Sequence, residues 1–148
     1  MKTQTRWVYD DGGRKAAGYE GITGDCVTRA IAIATGLPYQ DVYDGINHEA
    51  QRERPGAKRR TGRRSHARTG VFRETKDRFM EKLGWVWTPT MTIGSGCKVH
   101  LRADELPPGR LVVKVSKHSV AVVDGVIHDT YDPSRAGTRC VYGYWRAP

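Results

Sequence analysis

No stretch of this sequence is apolar for long enough to span a bilayer, and its polar first residues lack the apolar core of a secretion signal. The expectation is a cytoplasmic protein with no membrane partner. Cysteine is scarce: three, an odd number without the spacing of a disulfide framework, which agrees with a reducing compartment. No second Cys-x-x-Cys or His-x-x-x-His accompanies Cys97 and His100 to complete four ligands, so no metal is expected. Gly94-Ser95-Gly96 lacks the Gly-Lys-Ser/Thr that would follow in a phosphate loop, and no cofactor is expected either.

Acid is also in short supply, and its shortage is local. Between Arg52 and Arg73 stand nine basic residues (Arg52, Arg54, Lys58, Arg59, Arg60, Arg63, Arg64, Arg68, Arg73) against Glu53 alone. Nine minus one leaves +8 of the chain's +9 in that one island. It is read as an exposed basic loop over about 51–69, because it has few apolar residues to bury. Arg59, Arg60, Arg63, Arg64 and Arg68 make it a candidate surface for nucleic acid or an acidic protein. Without interleaved aromatics to stack on bases, such contact would be electrostatic.

What remains is enough for a core. The 148 residues, 38% of them hydrophobic, are one domain's worth, and no internal repeat divides them. The apolar positions Val27, Ala30, Ile31 and Ala34 follow helical spacing, with Asp25 as the expected N-cap and Gly36 as the stop. Pro38 opens a second helix reaching about His48, and a third is expected over about 71–83. The C-terminal part changes period. Trp85 to Trp87, Arg110 to Val115, Ser119 to Val123, Val126 to Tyr131 and Arg139 to Trp145 read as strands, and Asp124-Gly125 is a two-residue hairpin turn. Helices first and an antiparallel sheet afterwards define an α+β fold.

Cys26 stands where a glycine-spaced turn enters the first helix, a position that favours the thiolate. Hairpin register supplies partners for it. With Asp124-Gly125 as the turn, Val120 opposes Asp129 and His118 opposes Tyr131, so His118 and Asp129 lie diagonally on one face. Asp132 falls on the other face unless the strand ends or bulges before it. Cys26 as nucleophile, His118 as base and Asp129 as orienting acid is therefore the expected site. Cys140 reads as a packing residue in its strand. His128 alternates away from His118, and His48 and His66 read as solvent-facing.

Gly24-Asp25-Cys26 opening an apolar helix, with a distant histidine-led strand and an acid, resembles the papain-like cysteine peptidase superfamily. The Asp-Cys step is similar to that of bacteriocin-processing peptidase domains. The segment from Lys117 to Asp132 is similar to small papain-like proteins of phages and bacteria. The resemblance covers Thr23 to Gly36 and Arg110 to Trp145, about a third of the chain. It implies a helical part carrying Cys26 packed on a sheet carrying His118 and Asp129, and hydrolysis of an amide or isopeptide bond in a protein or peptide. Members of that superfamily generally carry a glutamine about six residues before the cysteine, and Glu20 stands there. An ionised carboxylate cannot donate to an oxyanion, so either Glu20 is protonated, or Thr23 or the Cys26 backbone N–H donates in its place, or catalysis is weak.

Overall fold

The computed structural model describes residues 6–21, 23–53 and 64–148. Strand β1 (Arg6–Tyr9) is followed by helices α1 (Cys26–Thr35), α2 (Tyr39–Ala50) and α3 (Arg73–Lys82). Strands β2 (Val86–Pro89), β3 (Arg110–Val115), β4 (His118–Val123), β5 (Val126–Asp129) and β6 (Val141–Arg146) complete an α+β fold. They form one six-stranded sheet in the order β1-β5-β4-β3-β6-β2.

The sheet is mixed rather than purely antiparallel, because the polar N-terminal stretch adds β1 parallel to β5, pairing Tyr9 with Asp129. Trp7, Val8 and Tyr9 are good strand formers, but so short a run without polar alternation names no partner strand. The edge of β5 supplies the missing hydrogen-bond partners, and the Trp7 indole N–H and the Asp10 backbone N–H both donate to the Asp129 carbonyl, at 3.1 and 3.0 Å. The β4–β5 hairpin has the expected register, Val123 opposite Val126 and Ala121 opposite His128. Its turn residues Asp124 and Gly125 both take positive φ, 48° and 79°, as a two-residue primed turn requires.

Alternation along the strands divides the core in two. Val112, Ala121 and Trp145 pack with α1, α2 and Met80 of α3, while Leu111, Val113, Val115, Val120, Val122 and Ile127 pack with Leu101 and Leu106. Helix α1 lies chiefly along β4 and buries Val27, Ala30, Ile31 and Ala34, the stripe its spacing predicts. It ends at Gly36 in the left-handed region, whose N–H returns to the Ala32 carbonyl. Trp85 is buried just ahead of β2 and is not part of it.

Two expectations about single residues are corrected. Asp25 precedes α1 but its side chain makes no capping bond, since stronger cationic partners occupy it. Cys140 is not a packing cysteine. It forms a disulfide with Cys97, leaving Cys26 as the free thiol. Backbone pairing makes this bond reachable: His100 bridges Cys140, Val141 N–H donates to the Val99 carbonyl at 2.8 Å, and the two cysteine Cα atoms are 5.8 Å apart. Spacing along the chain could not reveal that pairing. No helix among the described residues is long and apolar enough to cross a membrane.

Candidate active site

Cys26 is the first residue of α1, and the chain must reach it through a tight approach. A side chain at Gly24 would place its Cβ 2.8 Å from the Thr69 carbonyl oxygen, so only glycine fits under the 65–70 turn. That turn is fastened to α1 by Thr28, whose hydroxyl donates to the Ala67 carbonyl at 2.7 Å. Arg68 adds a second fastening, donating to the Glu20 backbone carbonyl while its guanidinium stacks 5.8 Å from the Tyr19 ring.

The structure brings the expected trio together. The His118 side chain and the Ser119 backbone N–H both hydrogen-bond the Cys26 sulfur. On its other side His118 meets Asp129, with Nε2 and Oδ2 2.6 Å apart. Engaging Nε2 with the carboxylate leaves Nδ1 for the thiol. The imidazole is buried, and the Tyr131 ring lies 5.3 Å from its centroid.

Asp129 is held from every direction. Its Oδ1 accepts from the Thr130 backbone N–H at 2.7 Å and from Arg29 Nη2 at 3.2 Å. Arg29 lies one turn along α1 from Asp25 and pairs with it as well. Asp25 is fully buried and also accepts from Tyr39 Oη at 2.7 Å and Arg14 Nη1 at 3.2 Å. Two buried carboxylates therefore share one guanidinium, and the nucleophile's helix is tied to the residue that orients the base. Sequence reasoning missed Arg29, Tyr39 and Arg14. The Asp25–Arg29 spacing of four was the available signal, since such pairs meet on a helix face.

Electrostatics follow this geometry. Burial by itself would push the Cys26 thiol up. The His118 hydrogen bond and charge, the Ser119 N–H and the Arg29 charge outweigh it, so the thiol lies below its ordinary value. His118 moves the other way. Burial pulls it down, but the bonds to Asp129 and Cys26 and the charges of both hold it above its ordinary value. The two shifts together favour the thiolate–imidazolium pair.

The other expected residues fall elsewhere. Asp132 is exposed and caps its own turn, accepting from Ser134 N–H at 2.9 Å, because β5 ends at Asp129 before strand alternation could carry it further. Glu20 is exposed, and its backbone rather than its carboxylate is what Arg68 holds. The Thr23 hydroxyl is buried with no hydrogen-bond partner among the described residues. His128 turns to Asp10, 3.2 Å away, and His48 and His66 are exposed. Of the basic loop, Arg64 is exposed and Arg68 half-buried, whereas Arg59, Arg60 and Arg63 lie outside the described residues.

No protein-family model, curated protein or solved structure matches this chain. The site's own chemistry is therefore the whole basis for a functional reading.

Proposed function

We propose that the protein is a cysteine hydrolase of papain-like architecture that cleaves an amide or isopeptide bond. The observation that carries this reading is the Cys26–His118–Asp129 chain of hydrogen bonds, with the thiol lowered and the imidazole raised from their ordinary values. A buried structural cysteine has no need of a charged imidazole beside it.

In this mechanism the Cys26 thiolate attacks the carbonyl carbon, forming a carbon–sulfur bond and an oxyanion. The Cys26 backbone N–H, uncapped by Asp25, and the unpartnered Thr23 hydroxyl are the donors available to that oxygen. Imidazolium His118 passes its proton to the departing nitrogen as the carbon–nitrogen bond breaks, leaving a thioester. His118, now neutral, takes a proton from water, which attacks the thioester and releases the acid and the thiolate. Asp129 keeps the ring oriented and stabilises its charged form.

The test is reactivity at pH 6.5 with the disulfide reduced, so that all three thiols compete. Iodoacetamide is expected to label Cys26 faster than Cys97 or Cys140, and Asp129→Asn to slow that labelling at least tenfold, about one pH unit of lost thiolate. Asp132→Asn is expected to change it less than about twofold, since its carboxylate only caps a turn. Preferential labelling of Cys97 or Cys140, or equal effects of the two Asn variants, sinks the assignment.

A further inference from the structure

A cavity of about 650 Å³ that the hydrolytic mechanism does not use is lined by two lysines, Lys76 and Lys114, that feel the charge of Cys26. Its charged walls are all cationic: Arg73 and Lys76 from α3 and Lys114 from β3. Its apolar walls include Trp87, Met91 and Tyr142. Register ties it to the site. Lys114 pairs across β3–β4 with Ser119, the residue whose N–H meets the Cys26 sulfur.

Two of these cations have no direct partner. Among the described residues no hydrogen bond or ion pair engages the ammonium of Lys76 or Lys114. The nearby acid, Asp77, forms its ion pair with Arg73 at 3.5 Å and acts on Lys76 only at longer range. Lys76 is 5% exposed and Lys114 half-buried. Burial pulls both ammonium groups down, Lys76 to about 8, and the Cys26 thiolate is one of the charges that partly offsets this. Burying an unpaired lysine costs stability, and a fold without use for it would place an apolar residue there. Trp87 sits against Gly143, where a Cβ would meet its ring at 2.3 Å, so a side chain at 143 would displace this apolar wall.

We propose that this cavity is the subsite that selects the substrate, and that it takes an acidic side chain, a carboxylate on a short apolar stem, beside the bond attacked by Cys26. The stem packs on Trp87, Met91 and Tyr142, and the carboxylate completes the charge of Lys76 and Lys114. The inference rests on Cys26 being the nucleophile, and on the cavity being its neighbour.

The experiment alkylates Cys26 with isosteric reagents that differ in charge. N-Iodoacetyl-glutamate α-amide carries the side-chain carboxylate, and N-iodoacetyl-glutamine α-amide is its neutral match. N-Iodoacetyl-glutamine with a free α-carboxylate separates a terminal anion from a side-chain one. The glutamate reagent is expected to react about tenfold faster than its neutral match, as close opposite charges in a half-buried site allow. Lys114→Met and Lys76→Met are each expected to bring that ratio towards one. Using the ratio cancels any change they make to the thiolate itself. Should Lys76→Met fold poorly, exposed Arg73→Gln supplies the second variant. A ratio of one in the unaltered protein, a ratio unmoved by the lysine variants, or a preference for the terminal carboxylate overturns the subsite while leaving the nucleophile intact. A Cys26 that none of the reagents modifies overturns both.

Discussion

Arg29 Nη2 lies 3.2 Å from Asp129 Oδ1, so the helix that presents Cys26 also holds the acid that orients its base. Because the same guanidinium pairs with buried Asp25, its removal takes a cation from two buried carboxylates. Arg29→Met is expected to cost about 3–5 kcal/mol, the usual penalty for breaking a buried ion pair by deleting one partner. Urea unfolding measures it. Arg29→Lys, which cannot fork between the two acids, is expected to fall between the parent and Arg29→Met.

The shifts of Cys26 and His118 predict a pH profile. A thiol lowered below its ordinary 9.0 becomes thiolate at lower pH, so the alkylation rate rises with a midpoint below 9.0. His118→Ala removes the main lowering influence and leaves the burial. Its midpoint is expected to move up to 9.0 or beyond, read from iodoacetamide rates between pH 5 and 10. An unmoved midpoint contradicts the imidazole's role. The raised His118 value also has a stability consequence. Its contribution is complete below the ordinary histidine value of 6.5 and is lost as pH rises through the folded value.

Lys76 works against the fold, and the sign is the reverse of a salt-bridged lysine's. Its folded value of about 8 lies below the ordinary 10.5, so the unfolded chain binds the proton more tightly. Stability is therefore expected to rise with pH between about 8 and 10.5 on this account. Lys76→Met, which keeps the apolar stem, is expected to stabilise the protein at pH 7 by roughly 2–3 kcal/mol and by much less at pH 10.5. Denaturant unfolding at the two pH values checks it.

The Cys97–Cys140 bond closes a loop of 43 residues and anchors the far end of the segment that contributes Met91 to Gly96 to the cavity. On the chain-entropy account a loop of that length is worth about 4 kcal/mol. Reduction or Cys97→Ser is expected to lower the midpoint of thermal unfolding markedly. The same change in Cys26→Ser is expected to leave the disulfide's contribution intact.

The hairpin and the nucleophile's helix were legible because their signals are local. Asp124-Gly125 dictates a turn, two-residue alternation then fixes who opposes whom, and the choice of Asp129 over Asp132 follows. Features that depend on distant partners were not legible. Arg-Trp-Val-Tyr favours a strand but shows no partner until β5 offers an edge, and Cys97 and Cys140 have no visible relation until β6 is placed. Lys76 is an intermediate case. It sits four residues before Met80 and seven before Leu83, on the apolar stripe of α3, and a lysine in such a stripe is a sign in itself. Lys114, between Val113 and Val115 in a buried strand, is another.

The parallel pairing of β1 with β5 has a consequence for the order of events in making the protein. Cys26 leaves the ribosome ahead of its base and its acid, which follow about ninety and one hundred residues later, and the acid's backbone is held by Trp7 and Asp10 from upstream of Cys26. β1 must therefore wait unpaired until the β4–β5 hairpin exists, and contacts of such long range form late in folding. Until then the thiol has neither imidazole nor Arg29-anchored acid to ionise it. The nucleophile is the first of the three to be synthesised and is activated only once the last of them arrives.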